Sequence, residues 1–219
     1  MGSIGNYISR RSPKFSFMQR SFGNKPFSLL DIGAGNHSAS KTKRLFPNCT
    51  YYGLDLDKSY NNSPEDFAVM KEFYEMDLTK LQFDILPNDF FNAIWIVHVI
   101  EHLHNGDEVL QGLLPKLKKG GYLYVEFPGK KSTKLPSMHG TLNFYDDPTH
   151  VRIYSSRDLS ALLNRSGLET LAAGTRRNWY YILGIPLRMA GHWLKGKKLQ
   201  GNIFWDLLGF AEFVYGRKR

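Results

Sequence analysis

From Pro26 to about Gly174, short apolar runs alternate with stretches of helical pattern. That alternation predicts an α/β fold of the Rossmann-like kind, a mostly parallel sheet with helices on both faces. Phe27 to Ile32 reads as a first strand, Ser38 to Phe46 as a helix ended by Pro47, and Thr50 to Leu54 as a second strand. Ser63, Pro64, Glu65 and Asp66 have the composition of a helix start, with a capping hydroxyl, a proline in the first turn and acids against the helix dipole. That helix is predicted to run to about Phe73. Asn92 to Val99 is almost wholly apolar, as a strand buried on both faces should be. Glu108 to Lys118 reads as a helix that Gly120 and Gly121 close ahead of a strand at Tyr122 to Phe127. Gly129 to Thr149 has no period and reads as an inserted loop. Ser155 to Asn164 is a capped helix with Leu159, Leu162 and Leu163 on one face.

Composition narrows this picture. A chain of 219 residues, 42% hydrophobic, can bury one good core. The pattern divides it into a basic arm at 1–25, a catalytic domain at 26–178 and an aromatic, basic appendage at 179–219. The single Cys49 rules out an internal disulfide, and Met1 to Lys25 lacks the continuous apolar stretch of a leader, so a cytoplasmic location is the default expectation. The most apolar run, Phe90 to Ile100, is about half the length a membrane-spanning helix needs.

Charge changes the picture more. The net charge is +9, yet residues 1–25 carry five basic side chains and no acid, and residues 179–219 carry seven against Asp206 and Glu212. The middle is therefore close to neutral. Basic ends suit an anionic partner such as a phospholipid surface, a phosphorylated lipid carrier or a nucleic acid, or they serve only solubility.

The segment Leu29-Leu30-Asp31-Ile32-Gly33-Ala34-Gly35 places an acid and two glycines at the end of the first strand. Glycine there lets backbone pass close to a ligand. Further on, Gly53-Leu54-Asp55 puts a carboxylate at the tip of the second strand, where it can accept hydrogen bonds from two ribose hydroxyls. Together these indicate a nucleotide site. A dinucleotide would want a third glycine to admit its pyrophosphate, and Asn36 and His37 stand there instead. An acid opening the glycine motif suits a ligand with an amino group and a positive sulfonium, which is S-adenosylmethionine (SAM).

Over Phe27 to Gly174 the chain resembles the class I SAM-dependent methyltransferases. The resemblance implies that Asp31, Gly33 and Gly35 meet the methionyl part and that Asp55, with Asp57 as substitute, holds the ribose. It implies an adenine contact at Asp77 and Leu78, in Glu75-Met76-Asp77-Leu78, and a place for His98 in the wall of the SAM pocket.

His98-Val99-Ile100-Glu101-His102 matches the H-x-x-E-H pattern of a zinc peptidase class, but that site needs both histidines on a helix and His98 directly follows a strand. The same order, with His150 in Asp147-Pro148-Thr149-His150, resembles the divalent-metal site of small-RNA 2′-O-methyltransferases, and a related triplet occurs in ubiquinone-pathway O-methyltransferases. On that resemblance His98, Glu101, His102 and His150 would ligate a divalent metal, and such a mixed set suits Zn, Fe, Mn or Ni better than Mg. The other reading, which is preferred, has no metal: His98 lines the SAM pocket, and Glu101 and His102 cap the next helix. Under either, His150 is placed to take a proton from an acceptor hydroxyl and is the candidate catalytic residue.

Trp179 to Arg219 mixes three tryptophans with basic residues. It can complete the core, form a lid, meet a membrane headgroup layer or, least in keeping, bind nucleic acid. The expected activity is methyl transfer from SAM to an oxygen of a small-molecule, sugar or lipid-linked acceptor, in the manner of methyltransferases of bacterial glycan assembly, which this sequence also resembles. The alternatives are a nucleic-acid 2′-O-methyltransferase and a non-catalytic SAM-binding protein.

Overall fold

The computed structural model describes residues 3–219. In chain order the elements are α1 (Ser3–Arg10), α2 (Pro13–Phe22), β1 (Phe27–Ile32), α3 (Ser38–Leu45), β2 (Cys49–Asp55), α4 (Pro64–Val69), β3 (Glu72–Glu75), β4 (Phe91–Val97), α5 (Gly106–Leu113), β5 (Leu117–Pro128), α6 (Ser156–Arg165), β6 (Leu168–Thr175), α7 (Trp179–Leu183), α8 (Ile185–Leu194), α9 (Trp205–Leu208) and β7 (Ala211–Lys218). They form one seven-stranded sheet in the order β3-β2-β1-β4-β5-β7-β6. The first five strands run parallel, and β7 lies antiparallel to both β5 and β6. The order reverses between β1 and β4, and a crevice at the carboxyl ends of strands on either side of such a reversal is where α/β proteins bind ligands.

Two apolar clusters cover the sheet. One gathers Leu30, Ile32, Ile94, Val125 and Val214 with Leu110 of α5 and Leu163 of α6. The other joins Trp95, Tyr51, Tyr124 and Tyr215 to Phe15 and Met18 of α2. The basic arm is thus built of two helices, α1 and α2, and α2 packs against the sheet. The cations of α2 lie along this face with their stems on aromatic rings: the ammonium of Lys14 stands 4.2 Å from the Trp95 ring centre, and the guanidinium of Arg20 4.6 Å from that of Phe17.

Several elements depart from the sequence pattern. The helix expected to reach Phe73 stops at Val69, because Glu72–Glu75 pairs with β2, Tyr52 opposite Glu72 through Asp55 opposite Glu75, and buries Tyr74. Edge pairing overrides a local helical preference there. Gly120 and Gly121 do not close a helix. They lie inside β5, in a bulge where the partner of β4 jumps from Leu117 to Tyr122. Gly120 has φ +73°, and a Cβ on Gly121 would come within 2.8 Å of the Lys118 carbonyl oxygen. The strands β6 and β7 were not part of the predicted pattern; β7 carries the 179–219 segment into the middle of the sheet.

The 129–149 segment is a loop with two short 3-10 turns, and it is ordered by one side chain. The Asp146 carboxylate accepts hydrogen bonds from the backbone N–H groups of Met138, Leu142 and Asn143 at 2.8 to 3.0 Å. Burial favours the neutral acid, yet these donors outweigh it and hold the group down at about 2. Leu142 and Phe144 are buried beneath the loop.

Candidate active site

A cavity of about 810 Å³ opens at the carboxyl ends of β1, β2, β4 and β5. That is ample for a nucleoside ligand and a small acceptor. Asp31, Gly33, Gly35, Asp55, His98, Glu101, His102 and His150 all line it. These eight residues come from four separate stretches of the chain.

At the end of β1, Asp31 is buried, and one oxygen, Oδ2, accepts from Ser38 Oγ at 2.5 Å and from Tyr51 Oη at 2.7 Å. Both hydroxyls reach the same oxygen, which leaves Oδ1 for a ligand. The turn that follows needs glycine twice. Gly33 has φ +78° and a Cβ there would lie 2.5 Å from Val99 Cγ2; a Cβ on Gly35 would lie 2.8 Å from the Tyr60 carbonyl oxygen. Asn36 and His37 continue in left-handed conformation, φ 53° and 57°. His37 does not crowd the ligand space: its Nδ1 turns away to the buried Asp66 carboxylate, 2.6 Å distant.

Asp55 ends β2, and its Oδ1 accepts the Leu56 N–H at 2.7 Å. Burial raises its pKa, so its charge awaits a hydrogen-bonding partner. Asp57 is occupied otherwise, since its Oδ1 accepts from both the N–H and the hydroxyl of Ser59. Asp77 and Leu78, the expected adenine contacts, follow β3 and lie outside the cavity wall. The Asp77 carboxylate caps a 3-10 turn by accepting from Thr79 N–H at 3.0 Å and Thr79 Oγ1 at 2.6 Å, and Leu78 is buried in the core. Leu56 and Tyr60 stand in the wall instead.

The far wall contains a charge network that the sequence did not disclose. His98, at φ +54°, places Nδ1 3.2 Å from Glu101 Oε1 and Nε2 3.3 Å from Glu126 Oε1. The second is a contact of charges rather than an aligned hydrogen bond. Burial disfavours the imidazolium, but the two carboxylates outweigh it and push the pKa up to about 9. Glu126 in turn lies 3.4 Å from the Arg176 guanidinium, which is also 3.4 Å from Asp206, and accepts from the Tyr124 hydroxyl at 2.5 Å. A lone acid within the apolar run Tyr122 to Phe127 was the available signal. The Trp205 ring lies 5.0 Å from His98 and 4.5 Å from Phe210, giving the cavity an aromatic wall.

His98 stands apart from the rest of the candidate metal set, since both of its ring nitrogens face carboxylates, Glu101 on one side and Glu126 on the other. Glu101, His102 and His150 remain, with potential ligand atoms all within 4.8 Å of one another. The partners of the two imidazoles show which ring nitrogen donates in each. The Thr149 hydroxyl donates to Asp147 Oδ1 at 2.6 Å, so it accepts from His102 Nδ1–H at 2.9 Å, leaving the lone pair on Nε2. His150 Nδ1 lies 2.6 Å from the Phe144 carbonyl oxygen and must donate to it, which again frees Nε2. Glu101 is buried, and its Oε2 has no hydrogen-bond partner among the described residues. Its own backbone carbonyl accepts from Val151 and Arg152 N–H, which anchors His150 beside it. Two imidazole lone pairs and an orphaned carboxylate oxygen fit a divalent transition metal.

An open α/β sheet with a glycine turn, a buried acid after β1 and a ribose-type acid after β2 belongs to the class of nucleotide-cofactor folds to which SAM-dependent enzymes conform. The chain matches the methyltransferase domain family over residues 6–173, so it belongs to that family, and its cofactor is SAM. The match begins within α1, in keeping with the packing of the amino-terminal helices. No curated protein sequence matches the chain. Among solved structures it is similar to a SAM-dependent methyltransferase from Archaeoglobus fulgidus, with 17% identity, 93% of this chain and 92% of that one covered, and a TM-score of 0.56. It is similar to the Burkholderia thailandensis 1,6-didemethyltoxoflavin-N1-methyltransferase with 1,6-didemethyltoxoflavin and S-adenosylhomocysteine bound, at 12% identity, 99% and 81% coverage and a TM-score of 0.61. It is also similar to the plantazolicin methyltransferase BpumL in complex with SAH, at 20% identity, 98% and 84% coverage and a TM-score of 0.63. At such identities the likeness is one of fold.

Proposed function

We propose that the protein transfers the methyl group of SAM to a hydroxyl oxygen of a small, sugar-like or lipid-linked acceptor. The observation that carries this is His150, whose Nδ1–H is spent on the Phe144 carbonyl and whose Nε2 lone pair is thereby free inside the cofactor cavity. In this reading Asp31 Oδ1 and the Gly33–Gly35 turn hold the methionyl end and Asp55 the ribose, while His150 Nε2 accepts the hydroxyl proton as the methyl moves. Holding donor and acceptor in line supplies most of the rate, and the base supplies the remainder. Trp205, Tyr181, Asn202 and Thr141 in the wall offer ring faces and polar groups, which suits a hydroxylated ring. The named neighbours act on unlike acceptors, so the fold selects none. A nucleic acid is disfavoured by the acids Asp55, Asp57, Glu101 and Asp147 in the cavity wall.

An acceptor screen with methyl-labelled SAM tests the proposal, and label on nitrogen, or on RNA alone, refutes it. With the acceptor in hand, His150→Ala is expected to lower kcat roughly a hundredfold with SAM affinity unchanged, as loss of a general base should.

The orphaned Glu101 Oε2 favours a second reading, in which Glu101, His102 and His150 hold a divalent transition metal. Such a metal would lower the pKa of a hydroxyl bound to it. Protein purified without chelators is then expected to carry close to one equivalent of metal, lost in His102→Ala. Far less than one equivalent in the wild type sinks this reading and leaves His150 as the base.

A further inference from the structure

The helices α7 and α8 bury only Ile185 among the described residues. Beside it Tyr181 lines the active cavity, and the Arg188 guanidinium donates to the carbonyl oxygens of Tyr181 and Ile203 at 2.5 and 3.0 Å. Their outward side is apolar. Trp179, Leu183, Leu187, Trp193 and Leu194 are 68 to 80% exposed, and Leu183, Leu187 and Leu194 follow one another at helical spacing. Scattered exposed apolar residues are ordinary, but a contiguous group of this size marks an interaction site.

The patch extends onto α1. Tyr7 packs edge to face on Tyr180, ring centres 5.5 Å apart, with the hydroxyls 3.1 Å from each other. Ile4, a turn away on α1, is 74% exposed, and the Arg11 guanidinium lies over the Tyr7 ring. Charge around the patch has one sign. No acid occurs between Thr170 and Trp205, and the exposed Lys195, Lys197 and Lys198 directly follow the apolar face.

We propose that the outward faces of α7 and α8, together with α1, seat the protein on an anionic phospholipid surface, with the apolar side chains at the acyl boundary and the lysines among lipid phosphates. A second copy of the chain would face these lysines with its own, so charge complementarity selects a lipid surface over self-association. The helix α7, which meets the membrane on one side, lends Tyr181 to the cavity wall on the other, and this brings the cavity to the headgroup layer. This inference stands independently of the acceptor's identity.

The test is co-sedimentation of the full-length protein with phosphatidylcholine vesicles, with and without phosphatidylglycerol. The expected result is binding to the anionic vesicles that weakens with salt. Lys195→Gln, Lys197→Gln and Lys198→Gln combined should weaken it about a hundredfold. Leu187→Glu with Trp193→Glu should abolish it while SAM affinity and circular dichroism stay as in the wild type. The proposal is overturned if the wild type does not sediment with anionic vesicles, if the variants sediment equally well, or if light scattering shows a dimer that the glutamate variant dissolves.

Discussion

Asp55→Ala is expected to lose SAM affinity by more than a hundredfold in calorimetric titration while its melting temperature stays near that of the wild type. The magnitude follows from the position. In the proposed site the carboxylate at the tip of β2 would accept two ribose hydroxyls, and hydrogen bonds to a charged group contribute about 1.5 kcal/mol each at the lower end, or about 3 kcal/mol for the pair. The unchanged stability follows from the pKa. Burial raises it, so the charge is no source of stability for the unliganded fold, and the bond lost with it, from the Leu56 N–H, is exposed to water. Asp57→Ala is the control, because the Asp57 carboxylate is already held by Ser59 and its removal should leave affinity within a few-fold. Equal losses in both variants would mean that the ribose is held elsewhere.

Glu126→Ala should have the largest effect on folding. Glu126 sits between His98 and Arg176 in a part of the sheet with almost no access to water. Removing one member of a buried charge network leaves the others uncompensated and costs about 3 to 5 kcal/mol, a large share of the roughly 5 to 15 kcal/mol by which a domain is stable. Urea unfolding measures it, and a loss under about 1 kcal/mol would show that the network adds little. The same residue sets an acid limb. Although burial favours the neutral acid, Arg176 foremost and then His98 bring the Glu126 pKa down to about 2. A carboxylate with its pKa depressed in the fold contributes stability above its unfolded value of about 4.5, and that contribution drains away as pH falls toward about 2. The wild type should therefore lose stability through that window, and Glu126→Gln should show a shallower slope there.

The cofactor half of the site was legible because it is local. Asp31, Gly33 and Gly35 lie in one turn, and Asp55 ends the next strand, so sequence distance stands in for distance in space. His98, Glu101 and His102 share a turn in the same way. The acceptor half is assembled from distant segments. Glu126 on β5, Arg176 after β6 and Asp206 on α9 meet only because β7 brings its neighbours together, and no periodicity announces a pairing across so many residues. Asp77, at the sequence position of an adenine contact, also caps a turn, because an acid attracts the N–H and hydroxyl of a residue two places on, here Thr79. Glu72–Glu75 became a strand because β2 offered an open edge, a fact absent from its own four residues.

The placement of β7 bears on how the molecule comes together during synthesis. β7 follows every other strand of the sheet in the chain, yet it lies between β5 and β6, so Tyr122 of β5, paired with Ala93 on one side, waits for Arg217 on the other. Until residues 211–218 arrive, β5 presents an open edge and β6 has no neighbour at all. Closure over so long a loop is slow relative to the local pairing of β1 with β2. A ribosome-bound chain should thus hold a folded cofactor half beside an unzipped acceptor half, an interval in which the exposed edge of β5 is open to intermolecular strand addition and to chaperones.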